Sequence, residues 1–155
     1  MGAATAAQVR RLAMDYLARR EHGFAELLSK LNQRGVPDAL AQETLQRLAD
    51  EGLQDDARFG DMYTRAQSAR GKGPHYIRNG LKARGLEGPD ADAALRRADV
   101  DWSASAIEVA RKKFPHGCAD HAERAKGLRF LQQRGFNAEQ SAGAIRALEQ
   151  IAVDE

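Results

Sequence analysis

Basic side chains between Asp61 and Glu87 are the residues of this sequence best suited to chemistry with another molecule. No acidic residue interrupts the stretch, whereas acids are concentrated on either side of it. Guanidinium and ammonium groups bind carboxylates and phosphates, and a surface that only faces water requires no such bias in sign. The stretch therefore favours an anionic macromolecule as partner. Its basic residues are Arg65, Arg70, Lys72, Arg78, Lys82 and Arg84, with His75 and Tyr76 among them.

A second basic cluster lies in the last third of the chain. The formal net charge of the whole chain is only +2, so the overall balance does not by itself indicate nucleic acid. A basic stripe on helices is also common on ordinary soluble surfaces, and this alternative stays open. The cluster consists of Arg111, Lys112, Lys113, Arg124, Lys126, Arg129 and Arg134.

The loop Arg70-Gly71-Lys72-Gly73-Pro74 is a candidate anion site. Two glycines around a lysine before a helix could cradle a phosphate or a carboxylate with backbone N–H groups and the helix dipole. The loop lacks the spacing of a Walker loop and follows a helix, which argues against nucleotide hydrolysis. The same residues equally predict a sharp turn whose proline begins the next helix.

Other groupings of reactive residues give weak signals of catalysis or metal binding. His116, Cys118 and His121 have the spacing of a partial zinc site, but structural zinc takes four ligands and no fourth candidate is near. Asp55 and Asp56 precede an amphipathic helix, where carboxylates cap the helix and complement its dipole. No serine or cysteine has an evident base partner. We therefore expect no catalytic residue, no metal and no cofactor, and the chain is predicted not to be an enzyme.

These residues lie on a pattern that repeats every 50 residues. Segments 31–36, 81–86 and 131–136 all read Leu-x-x-Arg-Gly followed by an apolar residue. A unit of this size buries its hydrophobic face poorly on its own, so three linked units are expected to stack into an elongated, curved array. The predicted units are 1–52, 53–101 and 102–155, and Trp102 is expected to pack between units.

Helix starts and stops predict an all-α fold of three tandem three-helix repeats. Glycine after arginine at 35, 85 and 135 indicates a helix end at which glycine adopts the left-handed conformation. Thr5 with Gln8, and Asp120 with Glu123, are predicted capping boxes. Stacking of like units predicts that their second helices point the same way. The nine predicted helices lie near 6–20, 24–34, 38–51, 56–70, 74–84, 89–99, 103–114, 120–134 and 138–150.

The composition is that of a soluble helical protein. Of the 155 residues 43% are hydrophobic and 30% charged, and no apolar run approaches the roughly 18 residues of a membrane span. No charged segment followed by an apolar one opens the chain, which argues against a secretory signal. The single cysteine forms no internal disulfide, and the cytoplasm is the expected compartment. Tandem units give no reason to dimerise, so a monomer is expected.

Over nearly its full length the chain resembles the RecX family, bacterial regulators of the RecA recombinase. The matching segments are Asp55-Asp56-Ala57-Arg58-Phe59, Lys72-Gly73-Pro74 with Ile77, Leu81 with Gly85-Leu86, Lys112-Lys113 and Arg134-Gly135-Phe136. Their order and spacing together are far more specific than any one segment. The chain departs from the family pattern at Gly80, where a helix-favouring residue is expected and a loosened fifth helix is predicted. The lead before Val9 is also short.

The resemblance implies a modulator without an active site of its own. RecX proteins bind in the groove of the RecA filament on single-stranded DNA and limit its ATPase, strand-exchange and coprotease activities, which modulates recombination, DNA repair and the SOS response. Carried over to this chain, it implies salt-sensitive binding to protein acids or DNA phosphates. The residues expected to make contact are Arg70, Lys72, His75, Arg78, Lys82, Arg84, Lys126, Arg129 and Arg134.

Two other interpretations remain open. A three-helix unit with a short turn resembles DNA readers, so a direct DNA-binding helical module is the main alternative. A reader needs a base-contacting side chain after the turn, but the sequence has Pro37-Asp38 and Pro89-Asp90, whose acids repel phosphates. The second alternative is a neutral helical scaffold that binds a protein through an apolar concave face. It predicts binding that is indifferent to salt and to changes between positions 70 and 84.

Overall fold

The computed structural model describes residues 4–154, and side chains as far as Ile151. All regular structure in this range is helical. The helices are α1 (Ala6–Arg19), α2 (Phe24–Gln33), α3 (Asp38–Asp50), α4 (Asp56–Ala69), α5 (Pro74–Ala83), α6 (Pro89–Ala98), α7 (Trp102–Lys113), α8 (His121–Gln133) and α9 (Ala138–Asp154). This confirms the predicted all-α fold. Most predicted ends are wrong by one residue because they included cap residues, and α9 runs four residues past the predicted end.

Each three-helix unit has its own hydrophobic core. The first core is centred on Leu27, Leu31 and Leu45, which have no exposed surface. Helices α4 to α6 enclose a second core around Phe59, and α7 to α9 enclose a third around Phe136. Among the described residues, the most extensive helix packing is within units rather than between them.

The repeated Leu-x-x-Arg-Gly phrase is the end of the second helix in every unit. The glycines have φ values of 85°, 89° and 106°, in the left-handed region. The N–H of the apolar residue after each glycine donates to the carbonyl of the leucine five residues earlier, at 3.1, 2.8 and 3.1 Å. This is the Schellman ending, in which that apolar side chain also packs back onto the helix. The predicted role of the phrase as a helix stop is confirmed.

Helix starts agree with the capping predictions, with one difference. Thr5 and Gln8 form a complete capping box, with reciprocal bonds of 2.9 and 3.2 Å. Asp120 accepts a bond from the Glu123 N–H, but the Glu123 carboxylate bonds the N–H of Ala119. The box predicted there is therefore only half formed, because the Glu123 side chain reaches one residue further back.

Successive units meet at two narrow junctions, where second helices are placed end to end. At the first junction the start of α2 contacts the end of α5, and at the second the start of α5 contacts the end of α8. Trp102 packs against the second and third cores, as expected for a side chain between units. The accessible surface is 9402 Å², whereas about 7,700 Å² is typical of a compact monomer of this mass. The molecule is therefore elongated.

Candidate partner-binding surface

The predicted contact residues lie on or directly after the second helices α5 and α8, and after α4. None of the nine is buried, so their side chains are at least partly available to a partner. Arg70 directly follows α4, and Lys72 lies in the turn after it. His75, Arg78 and Lys82 lie on α5, and Arg84 directly follows that helix. Lys126 and Arg129 lie on α8, and Arg134 directly follows it.

At the first junction two arginines converge on one carboxylate. Arg20 binds Glu26 in a bidentate manner, through Nη1 to Oε1 at 3.1 Å and Nη2 to Oε2 at 2.8 Å. Arg84 approaches the same carboxylate from the second unit, with Nε 3.9 Å from Oε2. Burial alone would raise the pKa of Glu26, but the hydrogen bond and charge of Arg20 outweigh it, and the pKa lies below the ordinary 4.5. The arrangement stabilises an ionised carboxylate.

Arg84 is also held by an aromatic ring of its own unit. Its guanidinium lies 4.8 Å from the centre of the Tyr63 ring, and Nη1 donates to the carbonyl of Gly80 at 3.0 Å. The Tyr63 hydroxyl occupies the space that a Cβ on Gly80 would fill. Gly80 thus has a packing role in α5 that the sequence did not predict, because its missing side chain admits the ring that supports Arg84.

A buried polar network completes the first junction and was not predicted from the sequence. The Gln54 side chain donates to the carbonyl of His22 at 3.2 Å and to Asp56 at 2.9 Å, and Asp56 accepts the N–H of Phe24 at 2.8 Å. His22 is 3% exposed, and burial lowers its pKa below 6.5 although its bond to the Arg20 carbonyl acts in the opposite direction. The network links the two units through the neutral Gln54 side chain and the Asp56 carboxylate, which caps the start of α2.

The second junction encloses a basic cleft of about 420 Å³. Lys113 and Arg134 each lie 5.3 Å from the centre of the Phe130 ring, which holds both charges over the cleft. The remaining cations in its lining are Arg70 and Lys112. In the part of the chain that the structure describes, no carboxylate pairs with any of these four cations.

The two junctions keep the same contact between an arginine and an aromatic ring but take the ring from different helices. In the second unit Tyr63 on α4 supplies the ring and Gly80 on α5 leaves room for it. In the third unit the buried positions of the opening helix are the small residues Ala106 and Ala110, and Phe130 on α8 supplies the ring. The arginine of the repeated phrase is thus placed by packing as well as by its helix end.

The glycine-rich loop is a junction rather than a cradle for an anion. The Gly73 N–H donates to the carbonyl of Arg134 at 2.8 Å, and the His75 N–H donates to that of Gly135 at 3.0 Å. A Cβ on Gly73 would lie 2.5 Å from the Gly135 carbonyl carbon. Because two N–H groups at this helix start are already used, the prediction of a backbone anion cradle is wrong and the turn interpretation holds.

The predicted contact residues do not form one continuous site. Arg70 and Arg134 share the cleft at the second junction. Lys82 and Arg84 line a separate groove of about 430 Å³ at the first junction, together with Lys30. Lys126 and Arg129 lie on an exposed face of α8.

Three of the residues predicted to contact a partner line neither the cleft nor the groove. Arg78 forms an ion pair with Asp92 at 2.8 Å, which compensates its charge. The Lys72 ammonium lies 4.5 Å from the ring centre of Tyr76, and His75 is exposed on the first turn of α5. These residues flank the second junction.

Two of the residues considered for metal binding or catalysis have structural roles. Cys118 packs in the third core, where burial raises the pKa of its thiol. Asp55 caps α4 through the Arg58 N–H at 2.9 Å. Over residues 4–154, no group of three or more His, Cys, Asp or Glu side chains is placed to hold a metal ion. No helix in the same range is long and apolar enough to span a membrane.

Comparison with known proteins decides the family. Family models for the three RecX three-helix domains match this chain in order: the first domain at residues 10–48, the second at 55–95 and the third at 99–145. The chain belongs to the RecX family. The regulatory protein RecX of Pseudomonas entomophila is 48% identical over 136 residues, covering 87% of this chain and 88% of the relative. That of Pseudomonas putida is 47% identical over 133 residues, covering 85% of each.

Solved RecX structures share the fold. The crystal structure of RecX from Lactobacillus salivarius matches with a TM-score of 0.78 at 20% identity, covering 94% of this chain and 97% of the other. A second crystal structure, of a regulatory protein RecX, matches with a TM-score of 0.73 at 22% identity and covers 97% and 72%. The arrangement of nine helices over residues 4–154 is therefore that of the RecX family.

Proposed function

We propose that this chain regulates RecA by binding in the groove of the RecA filament on single-stranded DNA. Binding inhibits the filament's ATPase, strand-exchange and coprotease activities, and so modulates recombination, DNA repair and the SOS response. The chain acts in the cytoplasm as a monomer of three units, 1–52, 53–101 and 102–155, without catalysis of its own. Membership of a family named for regulation supports this, together with an elongated shape that suits a groove.

The observation that carries the proposal is a set of cations on α5, on α8 and in the second-junction cleft that no described carboxylate compensates. Lys82 and Arg129 are exposed, and no described carboxylate pairs with either. The basic cleft of the second junction adds Arg70 and Arg134. A filament of protein and DNA presents carboxylates and phosphates, so complementary charge would hold the chain along its surface.

The direct DNA-binding module is the weaker candidate. A reader helix after each Arg-Gly corner would have to bring its amino end to the bases, and these ends carry acids. Asp38 begins α3, and Asp90 and Asp92 lie in the first turn of α6. Carboxylates there repel the phosphates that flank a groove.

The test is RecA ATPase on single-stranded DNA with increasing amounts of this chain, alongside binding of the chain to bare DNA. We expect inhibition at well below one chain per RecA monomer, with weak binding to bare DNA. Inhibition should weaken between about 50 and about 300 mM salt, because exposed charges are screened. An unchanged ATPase with tight DNA binding would instead establish the DNA-binding module.

Charge reversal separates this surface from general electrostatics. Lys82→Glu and Arg129→Glu should each weaken inhibition, since both side chains are exposed in the two later units. Arg11→Glu is the matched control because Arg11 is exposed on α1, away from both junctions. Equal loss from all three variants would mean that only net charge matters.

A further inference from the structure

The 50-residue repeat gives the two junctions equivalent arginines. Arg20 follows the last residue of α1, and Arg70 follows the last residue of α4. Arg84 and Arg134 occupy the same position after α5 and α8. At the first junction, Arg20 and Arg84 converge on Glu26, whose carboxylate is largely shielded from water.

The second junction has the arginines but not the carboxylate. The residue equivalent to Glu26 is Tyr76, 50 positions later, and its ring is exposed with the Lys72 ammonium over it. Arg70 and Arg134 remain next to each other, with Arg134 Nη1 3.5 Å from the Arg70 carbonyl oxygen. Glu108 is the acid in the cleft lining, and it is bound to Arg111 at 2.9 Å.

We propose that the cleft between the second and third units receives a glutamate or aspartate side chain from a partner protein, which supplies to Arg70 and Arg134 the kind of group that Glu26 supplies to the equivalent arginines at the first junction. This inference rests on the proposed function in that the partner is the RecA filament. Arg70 and Arg134 bind the carboxylate. Lys112 and Lys113 raise the positive potential around it, and Phe130 holds Lys113 and Arg134 in place before the partner arrives.

A carboxylate fits this cleft better than a DNA backbone does. At the first junction the equivalent arginines converge on a carboxylate, so the same molecule already shows this pair of positions binding that group. A DNA strand would also bring neighbouring phosphates toward the cleft wall, where Glu108 is half-exposed and repels them. A single acidic side chain brings one negative charge rather than several and so meets less of that repulsion.

The test is to fill the site from within. Tyr76→Glu places a carboxylate at the position equivalent to Glu26, where it should occupy the arginines and block the partner. Tyr76→Gln is the matched control, since it removes the ring without adding charge. We expect Tyr76→Glu to bind the RecA filament about tenfold more weakly than Tyr76→Gln, the effect of losing one charge-assisted contact. Thermal melts of both variants show whether each is folded.

Removing one arginine provides a second variant if the first fails to fold. Arg70→Gln should weaken filament binding by a similar factor, whereas Arg11→Gln, at an exposed position of α1 outside the cleft lining, should not. Equal affinities of Tyr76→Glu and Tyr76→Gln, with no effect of Arg70→Gln, would overturn the proposal. Parallel losses of binding to a bare oligothymidine would assign the cleft to DNA phosphate instead.

A direct titration separates failure of this inference from failure of the proposed function. A hexaglutamate peptide added to the wild-type chain should shift the side-chain Nε–H signals of Arg70 and Arg134 in NMR spectra, and hexaglutamine should not. Tyr76→Glu should abolish the shift. If the chain does not bind the RecA filament but these shifts occur, the proposed function fails and the carboxylate site stands. If the filament binds and no shifts occur, the site fails alone.

Discussion

Single residues at equivalent repeat positions decide how each junction is built. Gly80 shows this most directly, because the Tyr63 ring lies in the space of its missing side chain and supports Arg84. Glycine inside a helix ordinarily costs stability relative to alanine. Here the cost is offset by the packing of the ring.

We expect Gly80→Ala to destabilise the chain by about 1–3 kcal/mol, because the new methyl group overlaps the Tyr63 hydroxyl. Urea denaturation measures the change. Gly143→Ala on α9 is the control, since the nearest atom to its added Cβ is 3.8 Å away, and it should stabilise by roughly 0.5–1 kcal/mol. Stabilisation by both changes would mean that Tyr63 moves aside freely.

His22 predicts a pH dependence of stability. Burial lowers its pKa in the folded chain, in surroundings that also include Arg20, Glu26 and Lys30. The folded state therefore keeps His22 neutral, and below about pH 6.5 the unfolded state binds more protons. Stability should be constant with respect to this group above pH 6.5 and fall as the pH drops toward 5.

Urea midpoints between pH 8 and pH 5 measure this effect, and His22→Gln should flatten the curve. His121→Gln, at an exposed position, should leave it unchanged. The lowered pKa of Glu26 does not interfere, because its contribution is present above pH 4.5 and is lost only at lower pH. An identical curve for wild type and His22→Gln would contradict the assignment.

At the scale of helices, the sequence was informative wherever the cause is local. The repeated phrase predicted three helix ends because its bonds join residues five positions apart and its glycines need a positive φ. The starts of α1 and α4 were predicted for the same reason. The pairing of Glu26 with Arg84 could not be read this way, because a contact over 58 positions depends on how units pack.

The candidate binding surface also has features that the sequence predicts and features that depend on packing. The sequence identified Arg70 and Arg134 as basic positions, but not that they share a cleft. Lys112 and Lys113 stood in the second basic cluster and were left out of the expected contacts, although both line that cleft. Charge along a chain shows which residues could bind an anion, and packing decides which of them meet.

Gly35 and Gly85 occupy the same position of the repeat, so comparing their substitutions distinguishes the cost of backbone strain from the cost of lost packing between units. Gly35 and Gly85 have φ values of 85° and 89°, so alanine strains both by about 1 kcal/mol. No described atom lies within 4 Å of a Cβ on Gly35, whereas a Cβ on Gly85 would overlap that of Ala25. Gly85→Ala should therefore be more destabilising by about 1–2 kcal/mol in urea denaturation. Equal destabilisation by the two substitutions would mean that the first junction rearranges to accept the methyl group without a loss of stability.

At the scale of the whole molecule, three cores joined by narrow contacts predict incomplete cooperativity. Trp102 is the single tryptophan and packs against the second and third cores, so its fluorescence reports those units. Circular dichroism averages over all three. We expect the urea transitions followed by Trp102 fluorescence and by circular dichroism not to coincide. If the first unit unfolds before the others, the circular dichroism signal changes while Trp102 fluorescence does not. Coincident transitions would show that the junctions couple the units fully.

The end-to-end contacts between second helices also bear on whether a further unit could be added at either end of the array. Each junction places a helix that starts after a glycine, Gly23 or Gly73, against an Arg-Gly corner. Helix α8 instead starts after Asp120 and is three residues longer at 13 residues against 10, while the corner at Gly35 is left open. A second copy that placed α8 against that corner would bring a carboxylate and three additional residues to the position where each junction has a glycine. A head-to-tail contact of this kind would otherwise grow into a fibre. The start of α8 therefore does not match the open corner at Gly35, which disfavours growth of the end-to-end series from one copy to the next.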